Sequence, residues 1–596
     1  CVEHHIVLVL GGYKTVNLAS VLFKSLLFHH RGPLVFHFIT DKQARQVLPT
    51  LFDTWSLPSV RYRIYDMEEY KKEVDWVPNK HYSSWYGLMR LAIPDILPED
   101  VKEVLFLDTD LVVLDDITPL FDSFKGTNDS VLYAMGENLS PWYTQKKHWP
   151  ARGHGFNAGV LLLHTERMRK ANWSDMWKRE ARMRLEHFRG GNDQDILNAL
   201  SVTYPAIMVA FPCIYNFQMG GQGQPERCQK TDQLVKIAHF NSPQKLQTRT
   251  KYVAHFAQYH ATYQSMDGNV LRLRHRCESY NSTATVLADL KETKSECSAL
   301  LTAIETVYRT HLYFNGFSPS NSSGDVTLIT HLSVDRFDML DELLDSWKGP
   351  VSAAIYGTDA EISQIEKYMT ATRFARGRKN FSLHAVFKIG KYYPINYLRN
   401  VALNASNSEF VFVTDVGFIP STGLYKTLRN VVKKKQTNRV LVIPAFENSS
   451  SEEKFQIPRS KDDLLKEWDA GKIHPFGKNS WREDHNDSAY EQWKESENPY
   501  DVEFNTGYEL AVVMPRDVVP LFDERLIGYG WHNVTLLTTL RANGFHFMMI
   551  PSAFILHHPH ASSFDISRHS ASSLYKKCMN ALRRRFSHDD NFLTLA

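Results

Sequence analysis

Long apolar runs are missing from this chain. No stretch approaches the roughly eighteen consecutive apolar residues that a membrane-crossing helix needs, and no leader-like segment opens the sequence. A surplus of one charge is missing too. Lysine and arginine total 69 against 66 aspartate and glutamate, a formal net charge of +3 over 596 residues. The short basic runs at Lys433 to Lys435 and Arg583 to Arg585 read as solvated helix faces, so nothing points to nucleic acid. Cysteine is scarce, at six residues with no C-x-x-C pair, which argues against a zinc ribbon. Cys213 with Cys228, and Cys277 with Cys297, are spaced for local disulfides closing exposed loops; isolated buried thiols are the alternative, and Cys1 and Cys578 are left over.

What is present is a globular composition, 43% hydrophobic and 12% aromatic. The length exceeds what one core supports, so two large domains are expected. Asn-x-Ser/Thr sequons at Asn128, Asn138, Asn172, Asn281, Asn321, Asn380, Asn404, Asn448, Asn486 and Asn533 favour an oxidising, lumenal compartment. The chain starts almost directly on a strand, and is expected to be a lumenal or secreted portion whose targeting segment was removed.

Strand and helix patterns alternate through the first half. HHIVLVL, LVFHFIT and VRYRIYD read as strands, Leu18 to His30 as a helix, and a helix around Tyr86 to Ile93 leads into the strand VLFL. The order predicts a mostly parallel sheet with ligands at the strand carboxyl ends. After the polar break SPSNSSG the order resumes: DVTLITHLSV, VSAAIYG and FSLHAVFKI as strands, with helices at Met339 to Trp347, Glu361 to Met369 and Ile395 to Ala405. We therefore expect an α/β protein of two tandem Rossmann-like domains, residues 1–270 and 325–596. A disulfide-containing connecting segment, 271–324, would join them.

The strand VLFL ends in Asp108-Thr109-Asp110. Two adjacent carboxylates at a strand end repel each other unless a cation sits between them, and a hard divalent ion also leaves positions open for phosphate oxygens. Asp108 and Asp110 are therefore candidate ligands for Mn²⁺ or Mg²⁺ that would bridge a nucleotide-sugar diphosphate, with His239 in KIAHFNSPQKL as a third ligand. Lys245 follows within reach of a phosphate. GFNAGVLLLH places small residues at Asn157 to Gly159 before a buried strand. Asp193 and Asp195 either serve the site or favour the dipole of the helix they open.

The set LDTD, FNAGV, NDQDILNA and HFNSPQKL, in this order, resembles the retaining glycosyltransferase family 8, which includes glycogenin and bacterial α-galactosyltransferases. By that resemblance the fold is of the GT-A type, Asp108, Asp110 and His239 hold manganese, and Arg90 contacts the donor. Asn157 and the run Asp193, Gln194, Asp195 then surround the donor sugar. In the second half YPINYLRNVALN, TDVGF, LIGYGWHNV and LHHPHASSF resemble family 49, the β-glucuronyltransferases. Family 8 followed by family 49 is similar to a two-domain Golgi transferase family. The likeness implies α-1,3 xylose transfer with retention from UDP-xylose to glucuronate, and β-1,3 glucuronate transfer with inversion from UDP-glucuronate to xylose. Alternation would extend the matriglycan of α-dystroglycan. It also implies one Mn²⁺ per active domain, a Golgi-lumenal ectodomain of a type II membrane protein, no membrane contact in this portion, and compatibility with a homodimer.

The second metal site would map to Asp415, the residue two positions on, and His557. That later residue is Gly417, which has no ligating atom, so the departure counts against the second activity. Asp523 is the expected general base for inversion, and Arg399 or Arg336 the expected uronate contact. Two other readings stand beside this one: a single α-xylosyltransferase with a scaffold second domain, and a non-catalytic glycan-binding protein.

Overall fold

The computed structural model describes residues 2–79, 83–145, 148–220, 223–228, 234–241, 245–247, 250–273, 297–318, 323–433, 438–448, 458–476, 487–503, 511–528, 532–557 and 573–586. The sequons at Asn281, Asn321 and Asn486, the cysteines Cys1 and Cys277, and most of the motif LHHPHASSF lie outside them. The chain divides into two compact units, Cys1–Asp289 and Leu290–Ala596. Among the described residues no helix is long and apolar enough to cross a membrane.

The first unit is built on β1 (His4–Leu10), β2 (Leu34–Thr40), β3 (Val60–Asp66), β4 (Val104–Leu107), β5 (Leu111–Val113), β6 (Tyr133–Glu137), β7 (Phe156–Leu163), β8 (Met208–Phe211), β9 (Phe217–Gln218) and β10 (Ile237–His239). Its main sheet runs β3-β2-β1-β4-β7-β6-β8. Strands β3, β2, β1 and β4 are parallel, and β7 returns antiparallel to β4. Near-continuous apolar strands such as β2, buried throughout, suit a sheet covered on both faces. A small second sheet, β5-β10-β9, begins just after the Asp108-Thr109-Asp110 turn.

The second unit repeats this plan with β11 (Thr310–His311), β12 (Val326–Ser333), β13 (Val351–Gly357), β14 (Phe381–Phe387), β15 (Phe410–Val413), β16 (Phe418–Pro420), β17 (Arg439–Ile443), β18 (Ala445–Asn448), β19 (Ile473–Pro475), β20 (Tyr500–Val502), β21 (Ala511–Pro515), β22 (His546–Met549) and β23 (Ile555–His557). The main sheet is β11-β14-β13-β12-β15-β21-β17-β22-β20 and the minor one β16-β23-β18-β19. The tandem α/β reading holds.

Local differences from the sequence reading have physical causes. The helix expected at Tyr86 to Ile93 is broken into Ser84–Leu88, a 3-10 turn Met89–Ala92 and Ile93–Ile96. Pro94, with no N–H to donate, stands at the start of the last piece. The first disulfide, Cys213–Cys228, forms as expected. The second does not: Cys297 bridges Cys578, 281 residues away, with Cα atoms 5.5 Å apart. Leu300, Ala303, Ile527, Tyr575 and Met579 form a small apolar cluster there, and packing brings the two cysteines together where sequence spacing could not reveal it.

Candidate functional site

Three strand ends converge on the first acidic step. Asp108 follows β4, and its backbone N–H donates to the Gly159 carbonyl of β7 at 2.8 Å. Strand β10 pairs antiparallel with β5, matching His239 to Leu111, and the Phe240 N–H donates to the Asp110 carbonyl at 3.0 Å. His239 is thereby set beside the carboxylates, its Nε2 3.7 Å from Asp108 Oδ2 and 3.3 Å from Asp110 Oδ1. One ligand atom from each of the three lies within 4.8 Å of the others, the one such group among the described residues. Two carboxylate oxygens and an imidazole nitrogen at that spacing fit a divalent first-row ion. Gly159 makes the room: a Cβ there would lie 2.1 Å from His239 Cε1 and 2.9 Å from Asp108 Oδ2.

Arg90 is mostly buried and organises the acidic wall. Its Nη2 donates to Asp108 Oδ1 at 3.0 Å, and its Nη1 donates to the Ala158 carbonyl at 3.0 Å and pairs with Asp193 Oδ2 at 3.0 Å. Burial lifts the Asp193 carboxyl to about 6, with Arg90 opposing the rise and Asp108 adding to it. Gln194 Oε1 accepts from Asn157 Nδ2 at 2.9 Å and from the Ala158 N–H at 3.2 Å. An open cleft of about 760 Å³ runs from Gly11, Gly12 and Tyr86 at the end of β1 to Asp108, Asp110 and His239, then to Asn157, Asp193 and Gln194. The sequence-predicted residues of the first half whose side chains are described thus gather in one cleft, with one departure. Asp195 closes the capping box of the helix Asp193–Thr203, accepts from Tyr143 Oη at 2.7 Å, and does not line the cleft. Lys245 lies in a 3-10 turn and its side chain is outside the described residues.

Asn216 escaped the sequence reading, and Asn138 was read there only as a sequon. Asn216, fully buried, accepts from His239 Nδ1 at 2.8 Å. Asn138, a sequon, is buried in the cleft wall, a poor position for a glycan. A polar residue inside the apolar run CIYNFQM was the signal available for Asn216.

The second unit shows a related arrangement with different partners. Arg399, on the helix Ile395–Asn404, donates from Nη2 to Asp415 Oδ1 at 2.6 Å, as Arg90 does to Asp108. Its Nη1 donates to Asn533 Oδ1 at 2.8 Å, which occupies another sequon. His331, within the carboxyl-terminal half of β12 and unrecognised in the sequence, places Nε2 3.2 Å from Asp415 Oδ1. Strand β16 pairs with β23 so that Phe418 matches His557, the counterpart of Leu111 and His239. Asp415 and His557 do not complete a three-ligand group among the described residues, and Gly417 is buried without a ligating atom. The residues present there do not make the cation site of the first unit. Asp523 binds Arg525 through both carboxylate oxygens. Arg336 is buried with Nη1 3.2 Å from Met339 Sδ.

Comparison with known proteins gives a consistent picture. Residues 11–246 match the family described as glycosyl transferase family 8. Residues 325–392 and 386–589 match the family described as glycosyl-transferase for dystroglycan. Among curated proteins, the chain is 38% identical to the zebrafish xylosyl- and glucuronyltransferase LARGE2s over 99% of its length and 80% of that protein's. It is 37% identical to the human xylosyl- and glucuronyltransferase LARGE2, over 99% of this chain and 84% of that one. Among solved structures, mouse xyloside xylosyltransferase 1 is 22% identical, covering 40% of this chain and 98% of its own, with a TM-score of 0.35.

Proposed function

The chain belongs to the family of LARGE xylosyl- and glucuronyltransferases, and from that premise we propose that it alternates two transfers: xylose from UDP-xylose to glucuronate in the first unit, and glucuronate from UDP-glucuronate to xylose in the second. The observation that carries the first half is the convergence of Asp108, Asp110 and His239 in one cleft with Arg90, Asn157, Asp193 and Gln194. The family description for residues 386–589 supports a glycoprotein acceptor of the dystroglycan kind, and the sequons and disulfides support a Golgi-lumenal setting.

In the first unit Asp108, Asp110 and His239 would hold Mn²⁺, whose chemistry is to offset the charge that develops on the leaving diphosphate. The remaining residues do the rest. Gly11 and Gly12 let backbone approach the nucleotide end of the cleft beside Tyr86. Arg90 holds Asp108 and Asp193 in fixed positions and screens their mutual repulsion. The Asp193 carboxylate and the Gln194 amide face the sugar end, where they stabilise positive charge at the anomeric carbon as the glucuronate hydroxyl attacks and the bond to UDP breaks.

In the second unit Arg399 and His331 meet the charge of Asp415, and no step is assigned there to a bound ion. Without a second ligating carboxylate this unit works as the slower partner. The test is Asp110→Asn. It should lower xylose transfer at least a hundred-fold in transfer assays, leave the thermal melting profile in place, and spare glucuronate transfer. Unchanged xylose turnover would remove the first-site assignment.

A further inference from the structure

Resting on the cation site just proposed, we infer that Asn216 is a positioning residue: it fixes the ring tautomer of His239 and ties that ligand to the sugar-facing Gln194 through one chain of amides. Neutral imidazole carries a proton on one nitrogen only, and the nitrogen without it is the one that can bind a metal. Which one it is depends on the partner of the other.

Backbone groups fix the direction of every link. The Ala158 N–H donates to Gln194 at 3.2 Å, so that atom is the amide oxygen, and it accepts from Asn157 Nδ2 at 2.9 Å. The Gly159 N–H donates to Asn157 at 3.0 Å, identifying Asn157 Oδ1. Asn216 Nδ2 donates both to that oxygen at 2.9 Å and to the Asn157 backbone carbonyl at 3.2 Å. A carbonyl can only accept, so the amide of Asn216 cannot be turned round. Its Oδ1 is left facing His239 Nδ1 at 2.8 Å, and Nδ1 must carry the proton. The unprotonated Nε2 then points at Asp108 and Asp110, the orientation a ligand needs.

The same chain orients the other end. With Oε1 held by Asn157 and Ala158, the Gln194 NH₂ is turned outward, where Nε2 lies 3.4 Å from Tyr143 Oη. Cation ligand and sugar-facing amide are therefore set by one buried node. Asn216 has no exposed surface and does not line the cleft, so it acts through others.

The experiment measures Mn²⁺ binding to the purified chain by electron paramagnetic resonance, with the metal alone as probe. Asn216→Ala should weaken binding by about 10–100-fold, the usual range for losing a partner behind a metal ligand. In the metal-free chain, the ¹⁵N resonances of the His239 ring should place the proton on Nδ1 in the parent and show a mixture of the two tautomers in Asn216→Ala, a change that a merely structural role would not produce. If the alanine variant does not fold, Asn216→Ser, whose hydroxyl is too short to reach the ring, replaces it with the same threshold. Parental affinity in the folded alanine or serine variant overturns the inference, as does an unchanged Nδ1 proton on the His239 ring of folded Asn216→Ala. Asp110→Asn, run alongside, separates the two levels. If it abolishes binding while Asn216→Ala does not, only the role of Asn216 falls; if it changes nothing, the cation site falls and this inference with it.

Discussion

Gly159 is where one methyl group would matter most. A Cβ there meets the His239 ring and the Asp108 carboxylate well inside van der Waals contact. Gly159 is not among the glycines held at positive φ, so alanine is allowed by the backbone and forbidden by the ligands alone. Gly159→Ala should therefore push His239 or Asp108 off the cation position. Mn²⁺ affinity, read by the same resonance titration on the folded variant, is expected to fall at least ten-fold. Parental affinity would mean that the two ligands do not converge there. At this scale the sequence was legible for charged residues and poorly legible for neutral ones. Asp108, Asp110 and His239 stand at the ends of apolar strands, where a charge needs a reason. Asn216 and His331 sit within or beside strands, and their roles appear only when distant residues meet.

At the scale of elements, the two units place a turn between a main-sheet strand and a short strand of the minor sheet. In the first, β5 pairs with β10 and brings His239 to Asp110. In the second, β16 pairs with β23 and brings His557 opposite Phe418, while the carboxylate counterpart of Asp110 is absent at Gly417. Gly417 is likewise not held at positive φ, so a side chain is compatible with its backbone. Gly417→Asp should raise glucuronate transfer about ten-fold or more at saturating Mn²⁺, since even losses behind a ligand change activity by about 10–100-fold. No gain would show that the second unit differs from the first by more than one ligand. The strand order was readable because β-rich apolar segments alternate with amphipathic ones. The breaks inside helices were less readable: Asp359–Ile362 and Ile365–Ala371 replace the single helix expected at Glu361 to Met369. There Thr358 and Glu361 form a capping box for the first short helix, a local signal that periodicity does not weigh.

For the whole molecule, buried histidines make stability depend on pH in one direction. Burial lowers His384 to about 3 and His311 to about 4 in the second unit. His384 is locked as the neutral ring: the Tyr313 N–H donates to Nδ1 at 3.1 Å and Nε2 donates to Ser352 Oγ at 3.1 Å. Unfolded histidine takes a proton near 6.5, whereas these folded rings do not until about 4 or below. The unfolded chain thus binds more protons between those limits, and stability is lost as pH falls through them. Each such ring contributes about 1.4 kcal/mol per pH unit in that window. The denaturation midpoint of the second unit should drop between pH 7 and pH 5, and a flat profile would show that these rings titrate normally. Long-range covalent structure was the least legible feature at this scale. The Cys297–Cys578 bridge closes a loop of 281 residues, and sequence spacing carries no information about such a pair.

The most direct test of the whole account is an incubation of the purified chain with Mn²⁺ and an acceptor ending in glucuronate, given UDP-xylose alone or UDP-xylose together with UDP-glucuronate. The account predicts addition of a single xylose with the first donor alone, and a ladder of alternating products with both. Addition of one xylose in both reactions would contradict the two-transfer account and leave a single xylosyltransferase beside an inactive unit.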